Sequence, residues 1–180
     1  MEPQNAREWG LFHEESARKA YQRVTSHTHH KLELLSKGFL ISKSKPFLGA
    51  SLDNIQKCQC SNDCPDRVIE YKCPWKHRDL DPKQAFLTPE IGGIKNGNSF
   101  ALKSTSQYYF QVQLQMFVSE LTLCNFVVWT KKGIFTVEVP YNPSFMSNVC
   151  VQLEKFWTSQ VLPFKMTEAS GTLLPGTVVY

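Results

Sequence analysis

No run of about 18 apolar residues occurs in this chain, which excludes a helix of membrane-spanning length. Its start, Met1-Glu2-Pro3-Gln4-Asn5, has neither the basic cluster nor the apolar stretch of a signal peptide. It has no internal repeat and no low-complexity tract. Neither sign of charge dominates, since 20 Lys and Arg face 16 Asp and Glu for a net +4; this permits a polyanionic partner without demanding one. The six cysteines, Cys58, Cys60, Cys64, Cys73, Cys124 and Cys150, include no Cys-x-x-Cys pair. Without a secretion signal they are expected to be reduced, in an intracellular protein of nucleus or cytoplasm that is not secreted. What remains is a globular composition, 42% apolar and 12% aromatic over 180 residues, enough for a single domain with its own core.

Residues 6–24 repeat Trp9, Phe12, Ala17, Ala20, Tyr21 and Val24 at helical spacing, with Glu14 at the border of that face. Leu32 to Ser42 predicts two strand pieces around Lys37-Gly38, and Pro46 to Ile55 another strand with Asp53 near its end. Gln56 to Asp66 reads as a polar, cysteine-rich loop, and Val68 to Cys73 as a strand closed by Pro74. Asp79 to Asn98 reads as a long connection with a short helix near Pro82–Phe86. Ser106 to Leu123 predicts a helix, Cys124–Thr130 and Ile134–Val139 a hairpin, and Asn142-Pro143 starts a helix running to about Leu162. This order implies an α/β domain, a mixed central sheet flanked by helices. The domain is expected to occupy residues 1–166, with 167–180 a tail, loose or an edge strand.

The chemistry concentrates in Ile69-Glu70-Tyr71-Lys72-Cys73-Pro74. Strand alternation puts Glu70 and Lys72 on one face and Ile69 and Tyr71 on the other. An acid and an amine so placed, with a second acid such as Asp53 nearby, suit a divalent-metal hydrolase. Taken alone, the pair reads rather as an exposed strand couple with no chemistry. Three further blocks decide between these readings: Trp9-Gly10-Leu11-Phe12-His13-Glu14, Phe47-Leu48-Gly49-Ala50-Ser51-Leu52-Asp53-Asn54, and Tyr108-Tyr109-Phe110-Gln111-Val112-Gln113.

In these four ordered blocks the chain resembles the YqaJ-type viral recombinases, relatives of lambda exonuclease within the PD-(D/E)xK nuclease superfamily. The resemblance runs from about Arg7 to Pro163. It implies a restriction-endonuclease-like core and a metal-dependent deoxyribonuclease, of exonuclease type, working in recombination or in mobile-element or viral DNA processing. Asp53, Glu70 and the backbone carbonyl of Tyr71 would hold Mg²⁺ or Mn²⁺, with Glu14 near a second metal position. Lys72 would hold the attacking water, and Gln111 would orient Lys72 or the scissile phosphate. The resemblance also implies DNA with linear ends as partner, no membrane, and a homo-oligomer, in that family a trimer. Leu52 and Asn54 stand where the family has Pro and Gly. The family's N-terminal helix with its Thr-Ala-Ser segment has no counterpart here, so that part of the domain is expected to be missing.

Lys76, His77 and Arg78 follow the catalytic strand and are expected to contact phosphates. Lys31, Lys37, Lys43, Lys45 and Lys131-Lys132 are less specific candidates. Gln113 and Gln115 read as a polar helix face, and His27, His29 and His30 as a surface loop, with a metal site as the lesser alternative. Cys58, Cys60 and Cys64, with Cys73, are candidates for a structural Zn²⁺ bound by four thiolates, against a plain polar loop. Two other functions stay open at this level: a catalytically inactive module that binds nucleic acid or protein, and a zinc-stabilised interaction domain.

Overall fold

The computed structural model describes residues 3–60 and 64–169. It divides into two compact units, Met1–Tyr141 and Asn142–Tyr180. The first opens with α1 (Ala6–Thr25), whose Asn5 cap accepts the Glu8 N–H at 2.9 Å while the Glu8 carboxylate accepts the Gln4 N–H at 2.8 Å. Next come β1 (Glu33–Leu35), β2 (Gly38–Ile41), β3 (Gly49–Leu52), β4 (Asn54–Lys57) and β5 (Arg67–Lys72). A 3₁₀ turn at Trp75–His77 and α2 (Pro82–Phe86) lead to β6 (Gly93–Asn96) and β7 (Ser99–Leu102). The unit closes with α3 (Gln107–Ser119), β8 (Leu123–Thr130) and β9 (Gly133–Pro140).

The central sheet has five strands in the order β1-β4-β5-β8-β9. Only β5 and β8 are parallel; the other pairs are antiparallel, so the sheet is mixed as expected. The alternation of β5 sorts its residues onto two cores. Ile69 and Tyr71 join Ala17 and Tyr21 of α1. Val68 joins Phe126, Val128, Val112, Met116 and Phe86 on the α2 and α3 side. Helices thus cover both faces, and the ends of β5 are where loops from both layers meet. No helix among the described residues is long and apolar enough to cross a membrane.

The structure departs from the sequence reading in several elements. The expected strand Pro46–Ile55 breaks at Asp53: β3 pairs with β2 in a separate hairpin, and β4 enters the central sheet. The strands flanking Lys37-Gly38 likewise go to different sheets rather than to each other. The long connection contains the hairpin β6–β7, turned at Gly97 with φ +60°, a conformation glycine adopts without cost. In α1, Trp9, Ala17 and Tyr21 are buried, but Phe12 and Val24 are 61% and 56% exposed, because the buried stripe is narrow and follows the i, i+4 spacing. Helix α3 stops short of Leu123: Glu120 adopts φ +60°, and the Leu121 N–H turns back to the Met116 carbonyl at 3.1 Å.

The second unit begins with α4 (Pro143–Phe156), capped by Asn142, whose side chain accepts the Phe145 N–H at 3.0 Å. A π-type turn at Trp157–Val161 leads into α5 (Leu162–Ala169). The helical path therefore continues past Pro163 instead of ending before it. Pro163 is the second residue of α5, directly after the π-type turn. Thr167, expected to open the tail, lies in α5 and donates its hydroxyl to the Pro163 carbonyl at 2.9 Å. The rest of that tail, 170–180, lies outside the described residues.

Candidate active site

The pairing of β4 with β5 ends at Asn54↔Ile69, whereas β5 runs on beside β8 to Lys72↔Val128. Tyr71 therefore has no backbone partner on its β4 edge. The Asp53 carboxylate takes that place and accepts the Tyr71 N–H at 2.8 Å. A strand residue's N–H and C=O leave toward the same edge, so the Tyr71 carbonyl faces the Asp53 side as well. The bend between β3 and β4 is what delivers Asp53 there. Asn54 is 3% exposed, and its Oδ1 accepts the Tyr71 hydroxyl at 3.1 Å. Asn54 is absent from the non-glycine residues with positive φ, so this position does not require the family's glycine.

Glu70 projects from the opposite face of β5 into a polar cage supplied by α3. Gln111 Nε2 donates to its Oε1 and Gln115 Nε2 to its Oε2, each at 2.7 Å. Lys72 Nζ contacts the same Oε1 at 2.5 Å and lies 4.7 Å from the centre of the Tyr108 ring. Gln115 also donates to the Ser51 carbonyl at 2.9 Å, tying β3 to the helix. A carboxylate that is 2% exposed thus keeps charged or strongly polar partners on both oxygens, as buried acids require.

One cleft of about 320 Å³ is lined by Glu14, Asp53, Glu70, Tyr71, Lys72, Cys73, Pro74, Arg7 and Tyr108, among others. Glu14 reaches it from α1, and the remaining acids come from the sheet. Three carboxylates around one ammonium leave an excess of negative charge, and the protonation equilibria register it. Burial, then the Glu70 charge, push Asp53 up to about 7. Burial and the same neighbour raise Glu14. Burial works against the Lys72 charge, but the Glu70 carboxylate outweighs it and the pKa of Lys72 is raised, so the ammonium persists. Burial pushes the Cys73 thiol up to about 12.

The structure brings Glu14, Asp53, Glu70 and Lys72 into one cleft, with Gln111 on Glu70 rather than on Lys72. Gln113 and Gln115 are not a polar surface face. They are 0% and 1% exposed, and Gln113 donates to the Pro140 carbonyl at 2.8 Å. The signal for Gln115 was its i, i+4 spacing from Gln111, which puts both on one stripe; Gln113 had none. Arg7 is a second residue the motifs did not single out; it lies two turns before Glu14 on the same helical face. Among the expected phosphate contacts, Arg78 is engaged: Nη1 donates to the Trp75 carbonyl at 2.7 Å and the guanidinium lies 4.1 Å from the Trp75 ring centre. His77 is 3.5 Å from Glu90, while Lys76 is exposed. Of the less specific lysines, Lys43 pairs with Glu120 at 2.7 Å and Lys131 with Asp79 at 3.0 Å.

Gln115→Leu leaves Glu70 Oε2 and the Ser51 carbonyl without this donor inside the protein. It is expected to lower the unfolding free energy by about 2–3 kcal/mol. The midpoint of urea unfolding measures this, and an unmoved midpoint would show that the two contacts contribute nothing net.

A mixed five-stranded sheet with helices on both faces matches the lambda-exonuclease-like class of nuclease folds. The chain belongs to the family of the YqaJ-like viral recombinase domain, whose family model matches residues 2–122. That is a nuclease family acting on DNA with a divalent metal. The chain is also similar in structure to the alkaline exonuclease LHK-Exo from Laribacter hongkongensis. The TM-score is 0.66 at 18% identity, over 95% of this chain and 76% of that one. The structure of LHK-Exo in complex with dAMP is similar to the same degree, with a TM-score of 0.67 at 17% identity and the same coverage. No curated protein matches the sequence.

Proposed function

We propose that this domain hydrolyses DNA phosphodiester bonds from free ends, using Asp53, Glu70 and the Tyr71 carbonyl to hold a divalent cation. The observation that carries the reading is the joint placement of Asp53 on the Tyr71 N–H and of Lys72 on Glu70, in one cleft with Glu14. The donor set fits the cation. All the candidate ligands are oxygens, the preference of Mg²⁺ and Mn²⁺. The like charges crowded around Asp53 are also what a cation would relieve. When bound, the cation supplies charge neutralisation at the phosphate and a more acidic water.

The chain's own residues supply the rest. Lys72, held charged by Glu70, presents an ammonium that fixes the attacking water and the non-bridging oxygen of the phosphate. Gln111 and Gln115 act through Glu70: with each oxygen fixed by an amide, the carboxylate cannot rotate. Glu14 serves a second cation position. Arg7 on the cleft wall and exposed Lys76 supply phosphate contacts at the entrance.

The test is degradation of linear duplex DNA beside a covalently closed circle of the same sequence, with Mg²⁺ and with EDTA. Expected is loss of the linear form alone, and only with Mg²⁺. Cleavage that persists in EDTA would refute the cation's role. Binding of DNA without any cleavage would favour an inactive nucleic-acid-binding module instead.

A further inference from the structure

The cysteine-rich loop between β4 and β5 lies at the opposite end of β5 from the carboxylate cleft. We propose that it forms a structural zinc site with Cys58, Cys60, Cys64 and His29 as the four ligands, independent of the nuclease cation. The candidate ligand atoms of these four residues all lie within 4.8 Å of one another. His29 Nδ1 is 3.3 Å from Cys64 Sγ and 3.6 Å from Cys60 Sγ. In a tetrahedron with Zn–S of about 2.3 Å and Zn–N of about 2.05 Å, the N···S edge is about 3.6 Å and the S···S edge about 3.8 Å. The two His29 N···S distances are therefore close to those the ion would set, and the four atoms lie near enough for a small closure to complete the tetrahedron.

The surroundings fit a thiolate site. The His30 backbone N–H points at Cys60 Sγ at 3.1 Å, a donor of the kind that orients and stabilises a metal-bound sulfur. The Gln59 N–H bonds the His30 carbonyl at 2.8 Å, so the two loops are joined by backbone as well. All three thiols are free. His29 is half-buried while its neighbours His27 and His30 are exposed, which separates it from an ordinary polar loop. Cys73, the fourth thiol expected from the sequence, is not part of the cluster; it lines the carboxylate cleft. His29 replaces it because β1 pairs with β4 and carries the α1–β1 connection to the start of the β4–β5 loop.

The fold gives such an ion work to do. Edge strand β1 has only three residues and no fully buried side chain. A soft, tetrahedral S₃N set selects Zn²⁺ over the hard cations of the cleft. The ion would close a loop from His29 to Cys58–Cys64 and so pin β1 and β4 beside the catalytic strand.

Zinc measured by inductively coupled plasma mass spectrometry, on protein expressed with added zinc and purified without chelator, tests this directly. Expected is one zinc per chain, retained in Glu70→Ala and Cys73→Ser and lost in Cys60→Ser/Cys64→Ser. His29→Ala is expected to weaken its retention under chelator. Displacing the zinc from the unmutated protein with a mercurial and chelator is expected to lower the unfolding midpoint by roughly 5–10 °C. Zinc near zero in the unmutated protein, a disulfide among Cys58, Cys60 and Cys64, or zinc retained in the double variant would each overturn the proposal. Loss of zinc in Glu70→Ala would place the metal in the cleft and overturn it equally. None of these readouts depends on DNA cleavage.

Discussion

Glu70→Ala is expected to reduce DNA cleavage by roughly 10³-fold or more while the protein still folds. The side chain keeps Lys72 charged and receives one amide from each of Gln111 and Gln115, and under the proposed function it also offers an oxygen to the cation. Truncation leaves a largely buried ammonium without its counter-charge and two amides without their acceptor, which also costs stability. Glu70→Gln controls for volume: it keeps the packing but removes the charge, and the same loss is expected. Rates on linear duplex DNA, read beside circular dichroism and thermal unfolding of each variant, make the comparison. Cleavage near the unmutated rate in folded Glu70→Gln would remove Glu70 from the site.

Asp53→Asn is expected to move activity and stability in opposite directions. Activity should fall as steeply as in the Glu70 variants, because the proposed function makes Asp53 a ligand of the cation. Stability without metal should rise. The folded-state pKa of Asp53, about 7, lies above the ordinary carboxylate value of about 3.9, since burial and the Glu70 charge disfavour ionisation. Between those two values the folded chain holds a proton that the unfolded chain has released. The penalty is thus absent below about pH 4, and stability falls as the pH rises toward 7. At pH 8 in EDTA, Asp53→Asn is expected to unfold roughly 5–10 °C higher than the unmutated protein, the equivalent of about 2–4 kcal/mol. The two should converge near pH 4. Thermal unfolding from pH 4 to 8 measures it, and parallel curves would show that Asp53 ionises without strain. Such a trade, stability given up to crowd charges, is common where a site must capture a cation.

Much of the site was legible in the chain because its parts are local. Glu70 and Lys72 share a face by strand alternation alone, and Pro74 marks where that strand ends. Glu14 sits on a helix whose spacing is plain, and Gln111 on another. What could not be read is anything set by strand partnership. The sequence shows one strand through Asp53; the fold breaks it there, and the break carries the aspartate to the Tyr71 N–H. Gln113 and Gln115 look like solvent-facing amides because a helix pattern records polarity, not what lies opposite. Both are buried because the Pro140 carbonyl, the Ser51 carbonyl and Glu70 wait for them.

The cysteine loop makes the same division sharper. Spacing alone selected three of its members, since they are close in sequence. The fourth could not be chosen that way, because His29 is nearly thirty residues away and becomes a neighbour only when β1 pairs with β4. The sequence by itself determined helices α1, α2 and α3, the start of α4, strands β5, β8 and β9, the two faces of β5 and the chemical type of the cleft, all of which follow from local periodicity and residue chemistry. The tertiary structure alone decided which side chains share a partner, because long-range pairing and burial set distances that no spacing along the chain encodes.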